Sequence, residues 1–487
     1  MNFYSLILTN LEFFIPEIFL IISFLGLIFY GSIVQSYTHI LTFYTNKISF
    51  CIIIILLILL SNTVLFNCNY EYNFLLLIKF IISLSILICL ILSENYILQK
   101  FEFSFLILLS LIGFFILVMS FDLILVYLAI EIQSFSFYIL SCMKRNSAFS
   151  TEAGLKYFIL GALASGLFLF GSSLIYGITG TINLKDLSNI LIIFQIQQES
   201  AILVKEPLLI IASLCILFSL FFKLAIAPYH VWSPDVYEGA PLLVTAFFSI
   251  TSKLSLFIIL IRFFNYVFYD SINLIFWWKL ISVYGALFSI FIGSIIALQQ
   301  TKIKRLLVYS TIGHVGYILI GVVSGNSEGI QSLFFYLIIY ILSSLCIWGS
   351  ILILNNIRFI SELKIVKLIN PFLFINLIVN FFSLAGIPPL AGFLAKLSIF
   401  ISALNSNLYI ITLLIVFLSI ISTFYYLKLI KILTVEKIVH YNFSFTVKSI
   451  SKLNSIIISI SFLSLFLIFI FPLQLSLLTY YLNLIFI

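Results

Sequence analysis

An all-α polytopic membrane protein with about fourteen transmembrane helices is predicted, and three observations carry that prediction. The 487 residues are 63% hydrophobic and only 8% charged, where a soluble domain is about a quarter charged. Apolar runs of the roughly 20 residues that a spanning helix needs follow one another along the chain. The basic residues between those runs fall mostly on one side, as they do across a bilayer.

In order, the fourteen runs are 17–34, 50–66, 74–93, 103–120, 122–142, 154–177, 207–231, 241–262, 274–298, 305–323, 331–354, 371–400, 408–429 and 454–478. The fourth and fifth nearly touch at Ser120–Asp122 and need a tight turn. Longer polar connections lie at 178–206 and 430–453. With this count both termini lie on the side that holds only Lys185, Lys205, Arg262 and Lys279. The opposite side holds fifteen of the 24 basic residues, and Lys79, Lys156, Lys223, Lys253 and Lys396 remain within spans. Fifteen against four is a positive-inside bias, so the basic-rich side faces a matrix or a cytoplasm. The net charge of +7 is therefore loop asymmetry and not a nucleic-acid footprint.

Spans seven and twelve carry interior prolines. Phe221 to Pro228, FFKLAIAP, lies over Phe381 to Pro388, FFSLAGIP, at an offset of 160 with five of eight residues identical. Spans seven and twelve are five helices apart, so equivalent helices run in opposite directions, as in the inverted repeats of transporters. Spans 4–8 (residues 103–262) and 9–13 (263–433) form the repeats, after a three-helix addition (1–102) and before a loop and final helix (434–487).

A lysine at bilayer depth is costly and marks a functional position or snorkels to the interface. Lys223, Lys253 and Lys396 sit well inside spans, whereas Lys79 lies near a span end where snorkelling is as good a reading. A proline frees the carbonyl four residues before it, so Pro228, Pro388 and Pro389 are expected to mark helix breaks beside Lys223 and Lys396. His230, seven residues after Lys223, returns to the same helix face if the break does not rotate it. Glu131 lies mid-span in LVYLAIEIQSFSFYIL, where a carboxylate must be paired or protonated. Lys156 lies in a Gly- and Ala-rich span, and His314 in STIGHVGYILIG. Buried groups of this kind, beside broken helices that line wet cavities, suggest a proton path. A static role holding helices together is the alternative.

The six cysteines are scattered without a CxxC pair, and no GxGxxG or phosphate-loop motif appears. No flavin, nicotinamide, haem, metal or iron–sulfur site is expected in this chain. Phe and Tyr abundance and a Lys excess over Arg suit an A/T-rich organelle genome. No charged transit peptide precedes the first apolar run, as expected of a protein made inside the organelle.

The segment Pro234 to Pro241, PDVYEGAP, together with the fourteen spans, the repeat and the in-span charges, resembles the antiporter-like, proton-pumping subunits of respiratory complex I. The segment is most similar to the subunit 2 branch of that family. The resemblance covers nearly the whole chain. It implies that Glu131 pairs with Lys223, that Lys253 links two half-channels and that Lys396 ends the relay. It also implies that Lys156, His230 and His314 lie on the proton path. It places the chain in a proton-translocating NADH:ubiquinone reductase, in the mitochondrial inner membrane, with both termini in the intermembrane space. NADH, FMN, iron–sulfur clusters and ubiquinone would then belong to other subunits. The partners would be other complex I membrane subunits, neighbouring antiporter-like ones among them, and membrane lipids, with no nucleic acid. The competing readings are an Mrp-type cation/proton antiporter subunit and a structural membrane subunit without transport.

Overall fold

The computed structural model describes residues 3–33, 38–66, 70–93, 101–144, 146–196, 200–354, 357–436 and 452–483. Its α-helices are α1 (Phe3–Ile33), α2 (Thr38–Phe66), α3 (Tyr70–Ser93), α4 (Phe101–Met119), α5 (Leu123–Ser141), α6 (Ala148–Thr179), α7 (Leu184–Ile196), α8 (Ser200–Leu224), α9 (Trp232–Gly239), α10 (Leu242–Arg262), α11 (Ile272–Gln299), α12 (Ile303–Ser324), α13 (Ser327–Leu354), α14 (Val366–Ile369), α15 (Pro371–Ala385), α16 (Ala391–Asn405), α17 (Tyr409–Thr434), α18 (Lys452–Ile470) and α19 (Pro472–Asn483). Among the described residues, thirteen are long and apolar enough to cross a membrane. The remaining predicted span, 371–400, is met by two shorter apolar helices, α15 and α16, on either side of a break.

The expectations for two connections need correction. The connection 178–206 is not all loop, because α7 occupies its middle. Leu184, Leu187 and Leu191 form its buried stripe, with Lys185 and Asp186 facing outward. Asn183 Oδ1 accepts the Lys185 N–H at 2.9 Å and starts the helix. The expected lysine-rich loop 430–453 is in part helix, since α17 runs to Thr434. Residues 437–451 and both chain ends lie outside the described residues.

The repeat is visible as duplicated backbone hydrogen bonding. In the first half the α4–α5 turn pairs with the segment after α6. Leu123 N–H donates to Ile182 C=O at 3.0 Å, and Leu184 N–H to Phe121 C=O at 2.8 Å. In the second half the α11–α12 turn pairs with the segment after α13 in the same way. Ile303 N–H donates to Arg358 C=O at 3.1 Å, and Ile360 N–H to Thr301 C=O at 3.0 Å.

The two breaks also match, but one residue away from the register of greatest sequence identity. α8 ends at Leu224 and α15 at Ala385, and Ala225 (φ 58°) and Gly386 (φ 80°) follow in the left-handed region. Ile226 N–H reaches Phe221 C=O at 2.9 Å and Ala225 N–H reaches Phe222 C=O at 3.0 Å. Ile387 N–H reaches Phe382 C=O at 3.2 Å and Gly386 N–H reaches Ser383 C=O at 3.0 Å. Both ends are therefore Schellman caps. The cis bonds Ala227–Pro228 and Pro388–Pro389 then place Pro228 over Pro389, an offset of 161. The expected pairing of Pro228 with Pro388 is corrected. Each helix ends before its prolines, at the left-handed residue, and glycine takes that conformation without a Cβ penalty.

α10, α12 and α13 form the centre, buried along most of their length. α6 and α17 turn apolar side chains outward, among them Leu155, Ile159, Leu163, Leu413, Phe417 and Phe424. Such faces suit lipid or neighbouring helices. Lys79, for which snorkelling was open, is fully buried and ion-paired with Glu17, tying α3 to α1. Arg262, expected in a loop, is also buried. Its guanidinium donates to the Ser120 and Val118 carbonyls at 2.5 and 2.6 Å, capping the C-terminal end of α4.

Candidate functional site

The site is a row of buried polar groups that begins at the first break. Lys223 lies in the last turn of α8, where free carbonyls and the negative end of the helix dipole favour a cation. Its Nζ donates to Tyr138 Oη at 3.3 Å. The expected Glu131–Lys223 ion pair is absent. Glu131, Ser134 and Tyr138 instead share one face of α5, at spacings of three and four. Ser134 Oγ lies 3.3 Å from Glu131 Oε2. The ammonium is thus held by the Tyr138 hydroxyl and not by the carboxylate, and Glu131 Oε1 is buried without a hydrogen-bond partner. Gly161 of α6 makes room for this ring, since a Cβ there would collide with the Tyr138 hydroxyl.

Lys223 lines a small cavity with Ser134, Tyr157, Trp232 and Ser252. Its volume of about 10 Å³ is near the minimum for one water. Ser252 brings α10 to this cavity, and its neighbour Lys253 continues the row. Lys253 is 5% exposed, and its Nζ donates to Tyr340 Oη at 2.8 Å. Tyr340 Oη donates in turn to Ser249 C=O at 3.3 Å.

Beyond Tyr340 lies His314, buried on α12. Its Nδ1 is 2.7 Å from Tyr336 Oη and its Nε2 is 2.9 Å from Tyr426 Oη. Both ring nitrogens are partnered, so the imidazole can pass a proton from one to the other. His314, Tyr336, Tyr340 and Lys396 line a second cavity of about 10 Å³. Lys396 Nζ donates to Ala385 C=O at 2.7 Å, the last carbonyl of α15. The second break thus supplies a helix C-terminus to a lysine, as the first does.

Two expected site residues lie off this row. Helix α8 ends at Leu224, so the shared-face argument for His230 fails. His230 sits partly buried in the turn before α9, and its Nδ1 has no hydrogen-bond partner. Lys156 is exposed and paired with Glu152 at 2.7 Å and Asp235 at 3.4 Å. It belongs to an ionic clamp around the PDVYEGAP segment. Arg305 binds Asp235 at 2.9 Å and also Glu238, Lys302 binds Glu238, and Lys304 Nζ donates to Ala240 C=O at 2.7 Å. Partial burial pushes the Glu238 carboxyl up, but Lys302 and Arg305 outweigh this and hold it below its ordinary value.

Ser134, Tyr138, Tyr336, Tyr340 and Tyr426 were missed. Helical spacing was the available signal: Tyr336 and Tyr340 are four apart, and Ser134 and Tyr138 follow Glu131 by three and seven. Among the described residues, no three His, Cys, Asp or Glu side chains converge as metal ligands would.

Residues 120–422 match the family model described as NADH:quinone oxidoreductase/Mrp antiporter, TM. The chain is 42% identical over 375 residues to NADH-ubiquinone oxidoreductase chain 2 of Marchantia polymorpha, covering 77% of this chain and 75% of that protein. It is 39% identical over 339 residues to NADH-quinone oxidoreductase subunit N of Paramagnetospirillum magneticum, covering 69% and 68%. Among solved structures it resembles a chain of respiratory complex I from Thermus thermophilus, with a TM-score of 0.78 and 26% identity over 95% of this chain and 98% of that one. A chain of the Mrp complex from Dietzia shares the fold, with a TM-score of 0.80, 20% identity and 97% of each chain covered.

Proposed function

We propose, from the premise that the chain belongs to the NADH:quinone oxidoreductase/Mrp antiporter transmembrane family, that it carries protons as a membrane subunit of a complex I. Relatives named as oxidoreductase chain 2 and subunit N support that placement over an Mrp-type antiporter subunit. The observation that carries the transport reading is the row from Glu131 to Lys396. Titratable side chains there alternate with hydroxyls and small cavities through the centre of the molecule.

A proton enters at the Lys223 cavity, where Ser134 lies beside Glu131 and Tyr138 holds the ammonium. Lys253 receives it across the Ser252 side of α10 and passes it through Tyr340 towards His314. His314 takes a proton on one ring nitrogen and releases one from the other, to Lys396. The lysines lose and regain a proton at each turn, and no bond between heavy atoms changes. Quinone reduction in other subunits drives the cycle, and NADH, FMN, the iron–sulfur clusters and ubiquinone belong there.

In the same reading the neighbours are other complex I membrane subunits, and the membrane is the mitochondrial inner membrane. The lysine-rich end faces the matrix and both termini face the intermembrane space. The duplicated hydrogen bonding supports a division into an N-terminal addition (1–102), two five-helix repeats (103–262 and 263–433) and a C-terminal segment (434–487). The test is Lys253→Met in the assembled complex, reading proton uptake against NADH–quinone turnover in sealed vesicles. Pumping should collapse with the subunit still assembled, and full pumping would overturn the relay.

A further inference from the structure

One polar group of residues on α15 lies outside the row. Asn376, Asn380 and Ser383 occupy a single helix face at spacings of four and three. Two are fully buried and Ser383 is 1% exposed. Asn380 Nδ2 donates to the Asn376 backbone carbonyl at 2.8 Å and to Asn376 Oδ1 at 2.9 Å. The Cys346 thiol of α13 donates to the same Oδ1 at 3.0 Å, and Ser461 of α18 lies beside that thiol. These bonds settle which end of each amide is oxygen and which is nitrogen. They leave Asn376 Nδ2, Asn380 Oδ1 and Ser383 Oγ buried with no protein partner.

A buried donor or acceptor left unmatched is costly, so such groups are satisfied by ordered water. An amide N–H, an amide oxygen and a hydroxyl offer buried waters both donors and acceptors. Ser383 lines the cavity that holds Lys396 and His314. From Ser383 to Asn376 the face runs about 10 Å along α15, and Asn376 lies about 8 Å from the first residue of that helix. That first residue is at the lysine-rich end. The preceding segment contains Phe359, which bridges to Lys302, and Lys364, which pairs with Glu436 at 2.6 Å.

We propose that Asn376, Asn380 and Ser383 bind buried water and form a hydrated branch from the Lys396 cavity towards the lysine-rich end. The branch gives the second repeat its own solvent connection, and this role rests on the relay reading above. Cryo-EM of the assembled complex, at a resolution that shows buried water elsewhere, tests it directly. Density is expected within hydrogen-bond distance of Asn376 Nδ2 and Asn380 Oδ1, and a dry site would overturn the proposal. Asn380→Leu should remove that density and slow pumping several-fold in an assembled complex. Asn380→Ser, which keeps an oxygen and adds room, should retain the density and most of the rate. Lys396→Met separates the two readings. Unchanged pumping in Lys396→Met sinks the relay itself. Impaired pumping in Lys396→Met with full pumping in Asn380→Leu sinks only the branch.

Discussion

The two repeats hold their lysines differently. In the first, Lys223 precedes the break and has one long hydrogen bond, to Tyr138 at 3.3 Å. The expected carboxylate partner, Glu131, makes no ion pair with it and has an oxygen unmatched. In the second, Lys396 follows the break and is held at 2.7 Å by the end of α15, beside a histidine with both nitrogens partnered. The same Schellman cap therefore serves a loose site and a tight one. A loosely held ammonium can change its arrangement at low cost, as a switch requires, whereas a satisfied buried network is rigid. For the proposed relay the contrast predicts switching at the Lys223 end and conduction at the His314–Lys396 end.

The largest effect should come from removing the switch. Lys223→Arg keeps the charge but cannot release the proton. Pumping should fall on the order of 10²-fold, the lower range for lost acid–base groups, while assembly persists. Full pumping would reduce Lys223 to a structural cation and erase the contrast. Glu131→Gln should act more weakly. With no contact within ion-pair distance, the attraction lost is below the roughly 4 kcal/mol of a pair at 4 Å. Proton uptake per turnover should drop partially, and Ser134→Ala, which removes the hydroxyl beside the carboxylate, should mimic it. If Ser134→Ala pumps normally, the carboxylate does not act through that hydroxyl.

At the tight end, Tyr426→Phe leaves His314 Nε2 without its hydroxyl partner in a buried site. The cost should be about 1–3 kcal/mol, read as a lower unfolding temperature of the complex, with slowed but measurable pumping. An unchanged stability would show that the histidine is not held as tightly as its geometry implies. The smallest effect concerns the Glu238 clamp, which faces Lys302, Arg305, the Lys304 ammonium and Asp235. Its carboxyl is held below its ordinary value, so its stabilisation is fully present above the usual carboxylate range, about pH 4.3. It is lost only as pH falls through the lower folded value. Between pH 6 and 8, roughly the range over which histidines titrate, Glu238→Gln should lower stability by a constant small amount. A difference that grew with pH in that interval would mean that another group governs the clamp.

The chain alone determined the number of spans, the charge asymmetry, the existence of a repeat and the identities of the lysines. Those properties follow from transfer free energy, which is additive along a sequence: a lysine inside an apolar run is anomalous wherever the helix packs. Hydrogen-bond partners are not additive in that way. Glu131 and Lys223 were each legible as in-span charges, yet Tyr138 holds the ammonium only because Gly161 opens space for its ring on α6. His230 dropped off the row because Ala225 turns the chain into the left-handed region three residues before Pro228. Lys156 left it because Asp235, 79 residues away, draws its ammonium outward. The one-residue shift between the two breaks has the same origin. Residue identity favours laying Phe221-Phe222 over Phe381-Phe382, whereas backbone hydrogen bonding and the position of Gly386 decide where a helix ends.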